Sequence, residues 1–310
     1  MLLSLLFICH TLRKMCCRRY DGSPAFPYWR ARDFGVSEER FSFRSGKNLL
    51  SGSRYFKEGV APKALIVFFH GLGDGRASYI KEISLLAKEG YLVYAYDNTG
   101  SMESEGKTMI SFDHTMQDQK AFFRWLDSDG LALHLPRYAI GHSWGGFGSL
   151  ASSKRGYGIE KIVSLAGYTS IATNFLSHFP KWLSFLKPIV WIGSRFFEPR
   201  FGGTNVISLL KKSDAKVLYI QGSKDKIVLP RAGFISLRKA FYGDPRFKFI
   251  YVEGSGHSVF RAPSSEEYVH SLLKKGLEEP NCDPSIRMDL DKATKENMEV
   301  WKAIFDFFDN

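Results

Sequence analysis

Three side chains in this sequence have the types that nucleophilic acyl chemistry requires, and each follows a short apolar run. Ser143 is the centre of Gly141-His142-Ser143-Trp144-Gly145, a G-x-S-x-G pentapeptide. The residues before it, Pro136 to Ile140, read as a short strand, and Gly146 to Ala151 behind it can open a helix. A serine on a sharp strand-to-helix turn is held in a strained backbone conformation with its hydroxyl pushed into the open. The flanking glycines are needed because side chains there would collide with the neighbouring strand and helix. A hydroxyl is a poor nucleophile until a base takes its proton, and that base must be oriented by a third group, usually a carboxylate. His257 ends the stretch Glu253-Gly254-Ser255-Gly256-His257 after the run Phe249 to Val252, and Asp225 ends Gly222-Ser223-Lys224-Asp225 after the run Val217 to Gln221. In parallel sheets reactive groups sit on loops leaving the carboxyl ends of strands, which is where all three fall. Asp214 and Asp244 are alternative acids; Asp225 is preferred because it follows a buried strand. His70 and His142 read as buried supports for their loops, and Asp97, in Asp97-Asn98-Thr99-Gly100, as a structural turn residue.

Positioning these groups takes a regular scaffold, and the pattern supplies one from Glu38 onward. Arg40 to Phe43 alternates polar and apolar residues, Leu49 to Phe56 is a second extended run, and Ser45-Gly46-Lys47-Asn48 forms the turn of a hairpin. Ala64 to Phe69 is unbroken in its apolarity, the mark of a strand buried on both faces. Helical spacing over Ser78 to Glu89 precedes a strand at Tyr91 to Tyr96, and a helix over Met116 to Asp127 precedes the serine strand. Further strands are expected at Lys161 to Gly167, Ala215 to Gln221 and Phe247 to Val252, with helices near Arg231 to Phe241 and Lys295 to Phe308. Alternating strands and helices imply an α/β fold: a mostly parallel sheet of about eight strands, flanked by helices and opened by an antiparallel hairpin. Tyr168 to Ser213 breaks the rhythm. It carries Phe175, Phe179, Trp182, Phe185, Trp191 and Phe196 among its aromatics, and its length predicts short helices rather than a bare loop. Ala262 to Asp289 reads as a second, more polar irregular region.

The chain has 310 residues, 44% hydrophobic and 24% charged, which is ordinary globular composition with length enough for one large core. The net charge of +11 comes from scattered Lys and Arg. No nucleic-acid motif or dense basic stripe accompanies it, so no nucleic-acid partner is expected, and a weak attraction to an anionic membrane surface is the better consequence. Cys9, Cys16, Cys17 and Cys282 make no disulfide framework and point to a reducing, cytoplasmic setting. Residues 1–35 read as a separate apolar and basic segment ahead of one domain over 36–310. Met1 to Cys9 is apolar but too short to span a bilayer, which takes about 20 residues. The end of a membrane anchor, an interfacial anchor and a disordered tail all fit it, and Cys16-Cys17 among basic residues reads equally as a palmitoylation site or as idle thiols. No clustered ligands mark a metal site and no phosphate-cradling loop is present, so neither metal nor cofactor is expected.

Taken with His70-Gly71-Leu72-Gly73, which directly follows the buried strand, these motifs resemble the α/β-hydrolase fold superfamily in its serine-hydrolase branch of esterases and lipases. The resemblance runs from Phe41 to Phe308. It implies a Ser143–Asp225–His257 triad in the chain order of that architecture. By position it makes the backbone N–H groups of Leu72 and Trp144 the oxyanion hole, and it makes the insertion at about 168–213 a helical cap. The expected activity is that of a serine esterase or lipase-like enzyme on a small-molecule, apolar or lipid-like ester, with a membrane surface as a further partner. A peptidase, thioesterase or acyltransferase would use the same triad, and a binding protein that has lost turnover would keep the fold.

Overall fold

Every residue of β3 (Ala64–Phe69) is buried. Leu65, Val67 and Phe69 pack into one apolar cluster and Ala64, Ile66 and Phe68 into another, so the strand divides two cores. In the computed structural model, which describes residues 10, 14, 18–22, 26–73, 75–132, 134–277, 283 and 286–310, this strand lies inside an eight-stranded sheet. The strand order is β1-β2-β4-β3-β5-β6-β7-β8. β1 (Ser37–Ser45) and β2 (Asn48–Phe56) form the expected hairpin, with Ser45 opposite Asn48 across the Gly46-Lys47 turn. β2 also runs antiparallel to β4 (Tyr91–Tyr96). From β4 through β3, β5 (Arg137–His142), β6 (Ile159–Leu165), β7 (Lys216–Gly222) and β8 (Phe247–Val252), every pairing is parallel.

Helices cover both faces, as parallel strands require. α1 (Ile80–Lys88) places Ile80, Ile83 and Leu86 in one core. On the other face lie α2 (Thr115–Leu126) and α3 (Trp144–Ala151), through Phe122, Phe123, Phe147 and Leu150. Between β6 and β7 the aromatic-rich segment folds into short helices: α4 (Ile171–Ser177), a 3₁₀ turn at Lys181–Leu186, α5 (Lys187–Phe197) and α6 (Val206–Leu210). α7 (Phe234–Ala240) is shorter than its sequence pattern suggested, because Leu229 to Ala232 closes a turn first.

The stretch from Ala262 onward departs from expectation. Instead of remaining irregular, it forms α8 (Pro263–Lys274), with proline at the start of the helix, where its missing N–H costs nothing. Only Ser265 and Leu272 of this helix are buried, so its apolar stripe is too thin to stand out in sequence. α9 (Leu290–Ala293) and α10 (Met298–Asp309) follow, and α10 adds Val300, Trp301 and Ile304 to the core that contains α1. Met1 to Cys9, Cys16, Cys17 and Cys282 lie outside the described residues, and with them the anchor and palmitoylation readings. Among the described residues, no helix is long and apolar enough to cross a membrane.

Candidate active site

The turn at Ser143 takes the conformation its glycines permit. Ser143 has φ 58° and ψ −115°, a left-handed backbone that a non-glycine residue adopts only under constraint. A Cβ on Gly141 would meet the Gly145 carbonyl, and one on Gly145 would meet the Phe69 carbonyl, so both positions admit only glycine. α3 begins at Trp144, whose backbone N–H is therefore among the free donors of a helix N-terminus.

β7 and β8 end beside this turn. Asp225, 3% exposed, receives Gln221 Nε2 (2.7 Å) and His257 Nδ1 (2.9 Å) on Oδ2, and the backbone N–H groups of Ile227 (2.9 Å) and Val228 (3.0 Å) on Oδ1. Because a carboxylate only accepts, the His257 proton sits on Nδ1 and leaves Nε2 with a lone pair. His257 and Ser143 line one cavity of about 600 Å3, walled by apolar side chains that include Leu72, Phe112 and Phe175. Asp214 and Asp244 precede β7 and β8, at the opposite ends of those strands, and Asp244 is paired with Arg246. Asp97 is buried and engaged with Arg76 through both its guanidinium and its backbone N–H.

The two histidines read as supports are buried and bonded. His70 Nε2 accepts the Asn98 N–H (3.0 Å), and its Nδ1 lies 2.7 Å from the Gly71 carbonyl, which fixes the turn after β3. His142 joins three loops. Its Nε2 faces the His257 carbonyl at 3.1 Å and so carries the proton, while its Nδ1 lies 2.9 Å from the Tyr79 hydroxyl. The same hydroxyl accepts the Gly71 N–H at 3.1 Å. Burial, with the neighbouring His257 as a further cause, holds the His142 pKa well below its ordinary value, so the ring stays neutral.

Gln221 and Tyr79 are the site residues that sequence reasoning missed. The signal for Gln221 is a polar side chain, fully buried, closing an otherwise apolar strand; Tyr219 donates to its Oε1 at 2.9 Å, turning its Nε2 toward Asp225. Nothing local marks Tyr79, which looks like one more apolar residue of its helix. Among the described residues, no group of three or more His, Cys, Asp or Glu side chains is arranged to hold a metal ion.

Comparison with known proteins agrees with this architecture. Residues 60–200 match the family model described as serine aminopeptidase, S33. Rat monoglyceride lipase is 33% identical over 105 residues, covering 33% of this chain and 34% of the lipase. Human monoglyceride lipase is 34% identical over 95 residues, covering 30% of this chain and 31% of the lipase. The matched stretch thus spans about a third of the length of these relatives. A solved esterase of Pyrococcus furiosus superposes with a TM-score of 0.61 at 20% identity, over 83% of this chain and 97% of the esterase. The acylaminoacyl peptidase of Pyrococcus horikoshii gives a TM-score of 0.59 at 16% identity, over 84% of this chain and 44% of the peptidase. The sheet order, the strained serine turn and the superposition on these structures together give the chain the α/β-hydrolase fold.

Proposed function

We propose that this chain is a serine hydrolase of carboxylic esters that works through an acyl-enzyme on Ser143. The observation that carries the reading is one cavity lined by a strained serine and by a histidine whose Nδ1 is held by a buried, fully hydrogen-bonded carboxylate. His257 Nε2 takes the Ser143 Oγ proton as Oγ attacks the ester carbonyl carbon. The N–H groups of Leu72 and Trp144 hold the carbonyl oxygen as it becomes negative, and the loss of one such donor typically costs about 100- to 1000-fold in rate. As the tetrahedral adduct collapses, the alkoxide leaves with the proton from Nε2. Water then gives a proton to Nε2, attacks the acyl carbon and frees Ser143.

The segment over residues 168–213 is the cap of this site. Through Phe175 and Phe179 it gives the cavity an apolar wall that suits a lipid-like acyl chain. The same segment exposes Trp182, Phe185 and Phe196, a surface suited to an anionic bilayer that presents such esters. An aminopeptidase would use the same triad, but it also needs a carboxylate for the substrate's ammonium group. The described lining is apolar for the most part, which suits a neutral ester. The test is labelling by an organophosphonate serine probe: the protein takes the label and Ser143→Ala does not. A folded protein that resists the probe overturns the reading.

A further inference from the structure

Arg44, Lys120, Arg124 and Arg200 open onto one cleft of about 400 Å3, which shares no described residue with the cavity at Ser143. Arg44 is the next-to-last residue of β1, Lys120 and Arg124 stand one turn apart on α2, and Arg200 follows α5 in the cap. Gln117, Gly46 and Ala121 complete the described lining. Like charges four residues apart on a helix repel, so α2 gains nothing from its pair. Elsewhere in the chain Arg54, Arg76, Arg137 and Arg246 each lie against a carboxylate. The cleft instead sets cation against cation. The charge of Arg200 does most to hold the Lys120 pKa below its ordinary value, with desolvation, Arg124 and Lys154 adding to it. Arg200 is brought there by its neighbours in the cap: Glu198 meets His114 and the Gly203 N–H donates to Asp113, both just ahead of α2.

We infer that this cleft is an anion site for a phosphate group bearing two or more negative charges, and that the bound phosphate fastens the cap to the sheet domain. Guanidinium groups meet phosphate oxygens in bidentate pairs, and a multiply charged anion relieves the repulsion among all four cations at once. A singly charged carboxylate would leave most of that repulsion in place. Because Arg200 belongs to the cap and the other three to the sheet domain, the anion joins the two through charges that otherwise push apart. The volume is that of a small-ligand site and admits a phosphate ester or a pyrophosphate. The phosphate can belong to a lipid headgroup or to a soluble ester, which offer the cleft the same chemistry. Binding here uses none of the residues that act at Ser143, so it is independent of the ester reading.

Inorganic pyrophosphate is the soluble probe, titrated at an ionic strength held constant with sodium chloride so that screening does not change. The expected result is a melting temperature raised by a few degrees when pyrophosphate reaches about 100 times its Kd, with no rise from chloride alone. Lys120→Gln/Arg124→Gln should weaken binding about tenfold or more, the worth of lost charged hydrogen bonds, and glutamine keeps the helix propensity of both residues. Arg238→Gln/Lys239→Gln, which removes the same charge from exposed positions of α7, should bind as the parent protein does. No shift beyond that of chloride, or an equal loss in the α7 variant, overturns the site and reduces the four cations to a share of the net charge. Arg200→Gln should also weaken binding about tenfold, and an unchanged affinity there overturns the fastening of the cap. Vesicles separate the two sources. Phosphatidic acid presents a phosphomonoester and phosphatidylglycerol a diester. Tighter binding to phosphatidic acid vesicles at matched surface charge, lost in Lys120→Gln/Arg124→Gln, places the phosphate on a lipid. Pyrophosphate binding with equal retention on both vesicles places it on a soluble ester.

Discussion

His142 occupies the position of the pentapeptide that the motif leaves free, yet its side chain ties the serine turn to two other loops. It donates to the His257 carbonyl, and through the Tyr79 hydroxyl it reaches the Gly71 N–H. Because burial keeps it neutral, the ring acts by position alone. His142→Leu should lower kcat by about tenfold or more, the worth of one or two lost hydrogen bonds, with little change in KM. The acid limb of the pH–rate profile should persist in the variant, since His142 has no proton to lose there; disappearance of that limb would make His142 the titrating base. Ser143, Asp225 and His257 stood out as candidates because each stands at the end of an apolar strand, where side-chain type and position coincide. Gln221 and Tyr79 were not, because their roles depend on partners 4 and 63 residues away that only folding brings near.

Strands buried on both faces were legible to within a residue or two because that burial leaves them uniformly apolar, as at Ala64–Phe69 and Tyr91–Tyr96, whereas the half-exposed first strand, Ser37–Ser45, showed only its middle. Helices that bury a thin stripe were less so, and α8 is the example. What no pattern revealed is how α5 is fastened to the sheet domain. Glu198, just past α5, lies 2.5 Å from His114 Nδ1, and the Gly203 N–H donates to Asp113 Oδ2 at 3.0 Å. Burial pushes the Asp113 carboxyl up to about 7, the Gly203 N–H opposing and the Glu198 charge assisting. Burial pulls His114 down, but the bond to Glu198 and the charges of Asp118 and Glu198 outweigh it and leave its pKa raised. Both groups therefore hold their protons more tightly folded than unfolded. Their contribution to stability is present in acid and is lost as pH rises; for Asp113 the loss runs from its ordinary 3.8 to about 7. Asp113→Asn should gain in melting temperature relative to the parent protein by a few degrees between about pH 5 and 8. A difference that stays flat across that range would show that Asp113 is already ionised in the fold.

The net charge of +11 was visible in composition, but where charge and exposed apolar area meet was not, because that depends on how the 168–213 segment folds. Trp182 is 70%, Phe185 65% and Phe196 81% exposed, and the Trp182 ring stacks on Phe185. Basic groups lie close along the chain: Arg195 stacks over Trp191 at 5.2 Å, and Arg200 shares a cleft of about 400 Å3 with Arg44, Lys120 and Arg124. The crowding is felt electrostatically, since the Lys120 pKa is lowered by Arg200 first, then by burial, Arg124 and Lys154. Exposed apolar rings together with such basic groups suit a bilayer rich in anionic lipid, where each basic group near the surface is worth about 1 kcal/mol. The protein should sediment with phosphatidylserine-containing vesicles, bind neutral phosphatidylcholine vesicles far less, and be released as salt rises from about 50 to 500 mM and screening shortens. Replacing Trp182, Phe185 and Phe196 together by serine should reduce binding at low salt as well, because insertion of the rings is lost while the charge is kept. Deleting Met1 to Cys17 tests the competing anchor: binding that survives the deletion and falls in the triple variant locates the contact on the cap. Binding that vanishes with the deletion and ignores the triple variant overturns the cap's role and assigns membrane attachment to the first residues of the chain.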